Sequence, residues 1–231
     1  MKTTCKVIGS VLGTAAMLTI TTQVTQAQSI LTDPGFENQT AAPNPDPTGI
    51  PGWANFGGAN FLQTPLAHSG GWVLDTPDNG GGYSVPGSYQ VFAATPGEIF
   101  TFSGWIYTPN ALPVNGNDFA ILQLSFFTGA PPNNYAGGTG VGATSGVNVG
   151  QPAGGGGVPL PQGTWTFASV TATAPTGANS LGAYILDINA DANADFYFDD
   201  MSLTVVPEPS SLALGAVGLG GLWIGFIRRR K

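Results

Sequence analysis

From Gln28 to Ile227 the chain contains neither lysine nor arginine. The six basic residues sit at the two ends, as Lys2, Lys6, Arg228, Arg229, Arg230 and Lys231, and all thirteen acidic residues lie between them. The formal charge of −7 therefore conceals a long, purely acidic stretch. Inside it no salt bridge to Lys or Arg can form, so each carboxylate must be solvated, hydrogen-bonded or bound to a metal ion. Nucleic acid and anionic phosphate ligands are excluded as partners, because nothing there can neutralise them. The only cysteine is Cys5. With that residue confined to the amino end, neither a disulfide nor thiol catalysis is available to the rest of the chain.

A stretch with so few charges must fold on backbone hydrogen bonds and apolar burial, and its pattern is that of strands. In Ile99-Phe-Thr-Phe-Ser-Gly-Trp-Ile-Tyr107, Phe100, Phe102, Gly104 and Ile106 share one face. Thr101, Ser103, Trp105 and Tyr107 share the other, which is the period of a half-buried strand. Ala120, Leu122, Leu124 and Phe126 align in the same way. Further strands are expected at Trp72–Leu74, Tyr89–Phe92, Thr164–Thr173, Ala183–Ile188 and Phe196–Val205, with a short opening strand at Ser29–Thr32. The Gly/Pro/Asn-rich insert at 129–163 is expected to be a long surface loop, with a short strand at Val147–Val149. Roughly seven to nine strands and no credible helix predict an all-β, antiparallel β-sandwich over residues 28–205.

The two ends read as addresses. Lys2 and Lys6, an apolar run from Val7 to Ile20, and Thr25-Gln26-Ala27 predict a signal peptide over 1–27, cut by signal peptidase after Ala27. At the other end, 206–231, Pro207-Glu208-Pro209 breaks any incoming structure. An uncharged run at 210–227 follows, then the basic stop Arg228, Arg229, Arg230 and Lys231. As a helix that run spans roughly 27 Å, close to the ~30 Å of a hydrocarbon core. The positive-inside rule leaves the arginines in the cytoplasm and the body outside.

These three elements, in this order, closely resemble the PEP-CTERM sorting signal of Gram-negative bacteria. The resemblance implies an exosortase-type membrane peptidase that recognises Pro207, Glu208 and Pro209. It also implies a transient inner-membrane anchor, and release to the cell surface or extracellular matrix in an exopolysaccharide or biofilm setting. A second resemblance covers the body. Asp33-Pro-Gly-Phe-Glu37, Gly52-Trp53, Phe102-Ser-Gly-Trp-Ile-Tyr107 and Tyr197-Phe-Asp-Asp-Met-Ser-Leu203 look like carbohydrate-binding-module jelly rolls of the galactose-binding-like type. That likeness implies a structural Ca²⁺ held by Glu37 and Asp199, with Asp200 or Asp33 as alternates. A polysaccharide ligand is the corresponding partner.

Other chemistry is weaker. Trp53, Trp72, Trp105 and Trp165 are the tryptophans able to stack on a sugar ring, and core packing is the competing role for each. Trp105, which shares a face with Thr101, Ser103 and Tyr107, is the best candidate, followed by the loop residue Trp53. Asp191-Ala-Asn-Ala-Asp195 imitates the start of an EF-hand, but Phe196 stands where Gly is needed and Ser202 where Glu is needed. Asn38-Gln39-Thr40 is a chance sequon. His68, the only histidine, is expected to be a solvated loop residue. No nucleophile or metalloprotease motif occurs, so the expected role is non-enzymatic: structural or interactive, with carbohydrate binding as the alternative.

Overall fold

The computed structural model describes residues 28–38, 52–77, 83–109, 118–129, 138–150, 157–189 and 194–206. The expected signal peptide, the Pro207-Glu208-Pro209 motif, the span at 210–227, the basic stop, and most of Asp191–Asp195 lie outside these residues. Among the described residues no helix is long and apolar enough to cross a membrane.

Among the described residues eleven strands form two antiparallel sheets. They are β1 (Ala54–Phe56), β2 (Asn60–Gln63), β3 (Trp72–Thr76), β4 (Gly87–Ala93), β5 (Ile99–Tyr107), β6 (Phe119–Thr128), β7 (Thr139–Gly140), β8 (Ser145–Val149), β9 (Thr166–Thr173), β10 (Ser180–Ile188) and β11 (Phe196–Val206). One sheet runs β1-β4-β10-β6-β7 with β8 also on β6; the other runs β2-β3-β11-β5-β9. Leu122, Leu124, Leu181 and Ile185 of the first sheet meet Phe100, Phe102, Phe198 and Leu203 of the second, all buried. Each such side chain taken out of water contributes roughly 1.5–3 kcal/mol.

The strand expectations hold for β3 to β6 and β8 to β11, with ends shifted by a few residues. Three differences stand out. Ser29–Thr32 is not a strand; Ile30 donates one backbone bond to Leu203 O at 2.8 Å and the segment goes no further into the sheet. β1, β2 and β7 went unanticipated, being short and lacking a full alternation. The stretch at 129–163 is more than surface loop. β8 pairs with β6 from Ala120↔Val149 to Leu124↔Ser145, Val149 is fully buried, and Val158 and Leu160 pack on the core.

The feature that positions the site is a bulge in β11. Asp199 pairs with Trp105 and Ser202 with Ser103, so β11 carries one more residue than β5 over the same length. Asp200 takes φ 47° there. A bulge of this kind re-aims side chains beside it. Met201 turns into the core across Gly104, where a Cβ would collide with the Met201 sulfur. Glycine at 104 is therefore what allows the bulge to close.

Candidate functional site

Three segments distant in sequence meet at the bulge: the opening loop Asp33–Asn38, the hairpin loop between β2 and β3, and Asp199–Asp200. The opening loop is tightly wound. Phe36 donates to Asp33 O at 3.2 Å, and both Asp33 and Phe36 have positive φ, 48° and 57°. A buried aromatic in that conformation stores strain that surrounding packing must hold. Trp53 and Phe61 hold it, with ring centroids 5.2 Å and 5.4 Å from Phe36. Met201 N–H donates to Pro34 O at 2.8 Å and ties the loop to the bulge.

The carboxylates of this region face backbone donors. Asp199, fully buried, accepts N–H bonds from His68 (2.8 Å) and Ser69 (3.0 Å) on Oδ2 and from Asp200 (2.7 Å) on Oδ1. Glu37 Oε1 accepts from Gly71 at 2.9 Å and Trp72 at 3.0 Å. Gly70, at φ 61°, leaves the room that the Glu37 carboxylate occupies; a Cβ there would overlap it. Asp200 accepts from Ser69 Oγ at 2.6 Å and bonds His68 Nδ1 at 2.7 Å. Burial pushes the Asp199 carboxyl up to about 6, against the opposing pull of the N–H groups of Ser69, Asp200 and His68.

Glu37, Asp199 and Asp200 thus converge on one loop, as the expected Ca²⁺ ligands must. As arranged, their oxygens serve amide donors: a cation taking Asp199 Oδ2 or Glu37 Oε1 would have to displace two N–H groups from each. Among the described residues no three His, Cys, Asp or Glu side chains are placed to hold a metal ion. The arrangement forms a latch that carries the 68–72 loop.

Aromatic rings gather next to this latch on the outer face of the five-stranded sheet. His68 lies flat on Trp105, centroids 4.2 Å apart and planes 17° apart, and meets Trp165 edge-on at 5.4 Å. It is therefore not the solvated loop residue expected. Trp165 Nε1–H donates to Leu66 O at 3.1 Å. Tyr107 is buried, with Trp165 at 5.2 Å and Tyr197 at 6.0 Å. Trp53 is corrected outright. It is 2% exposed and its indole N–H donates to Asp33 O at 2.9 Å, so it cannot stack on a sugar. Trp72 is likewise core. Of the candidates Trp105 and Trp165 keep partial exposure, and the cross-strand partner of Trp105, Phe167, is 51% exposed and was missed. Phe167 stands edge-on to Trp105 at 5.4 Å. The outward alternation of β9 was the signal that could have found it.

The tail is settled by its own sequence. The PEP-CTERM protein-sorting motif model matches residues 205–231. This chain ends in a PEP-CTERM sorting motif. No curated protein matches the chain. Solved structures do, through the fold, and carbohydrate-binding modules are among them. Family 16 Carbohydrate Binding Module-2 is 16% identical with a TM-score of 0.46, over 75% of this chain and 98% of that one. The Stig cyclase Fisc from Fischerella sp. TAU is 17% identical with a TM-score of 0.50, over 79% and 99%. The enzymatically active domain of bacteriophage CBA120 tailspike protein 4 is 13% identical with a TM-score of 0.48, over 77% of this chain; the chain spans only 21% of that protein's length. At such identities the likeness is one of fold, the all-β sandwich.

Proposed function

We propose that this protein is exported and processed at its PEP-CTERM tail by an exosortase-type peptidase. The product is a non-enzymatic structural or interaction protein of the Gram-negative cell surface or its exopolysaccharide matrix. The sorting motif at 205–231 carries the reading. The fold supports it: β11, a central strand of its sheet, ends at Val206, immediately before Pro207. Cutting at or beyond Pro207 would leave every described strand whole, and would remove the only basic residues that survive loss of the signal peptide. The test is to express the full chain with Glu208→Ala in a host carrying the peptidase. An unprocessed, membrane-retained form is expected; normal release of the variant would refute the proposal.

A second reading, carbohydrate binding, is favoured by one observation. The exposed Phe167 stands beside the partly exposed Trp105, which His68 covers on one side, on a face that also carries Thr101, Ser103, Ser169 and Thr171, a surface that suits a neutral sugar face. Glycan-array binding by the full chain, lost in both Trp105→Ala and Phe167→Ala, would support it. An array without specific signal would leave the structural role as the reading.

A further inference from the structure

A second acidic cluster lies at the end of the sandwich where β10 finishes and β6 and β11 begin, apart from the loop that Glu37 and Asp199 hold. Asp187 and Asn189 both point inward and both have no exposure. Asn189 Nδ2–H donates to Asp187 Oδ2 at 3.0 Å, yet Asp187 Oδ1 and Asn189 Oδ1 are buried without a hydrogen-bond partner. The register pairing Ile188 with Phe119 brings Asp118, also fully buried, opposite Asn189. On the other side the Ser84↔Asn189 bridge places Ser84, whose Oγ is buried without a partner too. From the facing sheet comes Thr76, whose hydroxyl lies 3.1 Å from Phe196 O and is also a hydrogen-bond partner of the Asp187 carboxyl.

Two pure acceptors, Asp187 Oδ1 and Asn189 Oδ1, meet no donor, and no lysine or arginine exists between Gln28 and Ile227 to answer them. A buried acceptor left so costs about 1–3 kcal/mol. Burial also pushes the Asp187 carboxyl well up, with the hydrogen bonds of Thr76 and Asn189 opposing it and the charges of Asp118 and Asp195 adding to it.

We propose that this end of the sandwich is a site for a hard divalent cation of the Ca²⁺ type, held by Asp187 Oδ1, Asn189 Oδ1 and the Asp118 carboxylate, with Ser84 and Thr76 hydroxyl oxygens beside them. Two carboxylates, an amide carbonyl and hydroxyls are the oxygen donors such an ion takes. The competing account is a proton: a neutral Asp187 whose O–H donates to Asn189 Oδ1 would satisfy both atoms at once.

The experiment is thermal unfolding of the full chain in detergent, stripped with EDTA, with and without millimolar Ca²⁺, together with calorimetric titration of Ca²⁺. Wild type is expected to gain about 5 °C or more. Asp187→Asn should abolish the gain, and Asn189→Ser, which keeps every charge, should weaken Ca²⁺ affinity at least tenfold. Glu37→Gln should respond as wild type does. A wild type indifferent to Ca²⁺ would overturn the proposal in favour of the proton. A response that survives Asp187→Asn, or is lost only in Glu37→Gln, would overturn it by placing the ion elsewhere.

Discussion

Asp199 Oδ2 accepts the backbone N–H of His68 at 2.8 Å across a sequence separation of 131 residues. That bond, with its partner from Ser69, fastens the β2–β3 loop onto the bulge of β11, and His68 in turn lies on Trp105. The last strand of the body thereby sets the shape of the aromatic face. Asp199→Ala would leave three backbone donors facing an apolar methyl. We expect a loss of about 2–4 kcal/mol in urea unfolding. Tryptophan fluorescence should also change, since His68 would be free to leave Trp105. A stability within about 0.5 kcal/mol of wild type would show that the latch is ornamental.

Gly70 and Glu37 form the second half of the same fastening. Gly70→Ala puts a Cβ into the Glu37 carboxylate at a backbone angle that L-residues rarely adopt, and is expected to cost about 1–3 kcal/mol. Because the clash is with one side chain, Glu37→Ala should relieve part of it. Denaturant unfolding of the two single variants and the double variant should give a sum that is clearly non-additive.

Asp75 sits between two neighbours on its sheet, paired with Asn60 on one side and Tyr197 on the other. Burial, and then the charge of Asp195, pushes its carboxyl up to about 7. A carboxyl raised on folding binds its proton more tightly in the native state. Its stabilising contribution is therefore complete below about pH 4 and is lost as pH rises through about 7. With EDTA present, the protein should gain stability on acidification from pH 8 toward pH 5, by at most about 1.4 kcal/mol per pH unit from this group. Asp75→Asn should remove that part of the slope and be more stable than wild type at pH 8. An unchanged pH profile in the variant would contradict the assignment.

The missing cations give a simpler expectation. Trypsin has no site from Gln28 to Ile227, so the denatured, mature protein should survive digestion as a single species by mass spectrometry. Internal tryptic peptides would contradict the sequence as read.

The fold was legible where alternation was long. The faces of β5 and of Ala120 to Phe126 could be assigned because apolar residues recur every second position, and both bury as that period requires. β1 and β2 escaped because three or four residues, with Asn55 and Asn60 among them, carry too little pattern. The site was half legible. The likeness to carbohydrate-binding jelly rolls brought Glu37, Asp199 and Asp200 together, but Glu37 and Asp199 are met by amides of His68, Ser69, Gly71 and Trp72, and backbone donors leave no trace in side-chain identity. Trp53 was misplaced because a residue outside any strand looks exposed; Phe36, folded back at positive φ, covers it. The Asp187–Asn189 pair was passed over as part of an apolar strand end, since nothing in sequence shows that Asp118 lies opposite.

The central claim concerns the tail, and one measurement reaches it directly: the intact mass and C-terminal residue of the protein recovered from the culture medium of a host with the sorting peptidase. The account predicts a chain beginning at Gln28, ending at or near Pro207–Pro209, and lacking Arg228, Arg229, Arg230 and Lys231. A released protein that retains those four residues would contradict it and make the tail a permanent anchor.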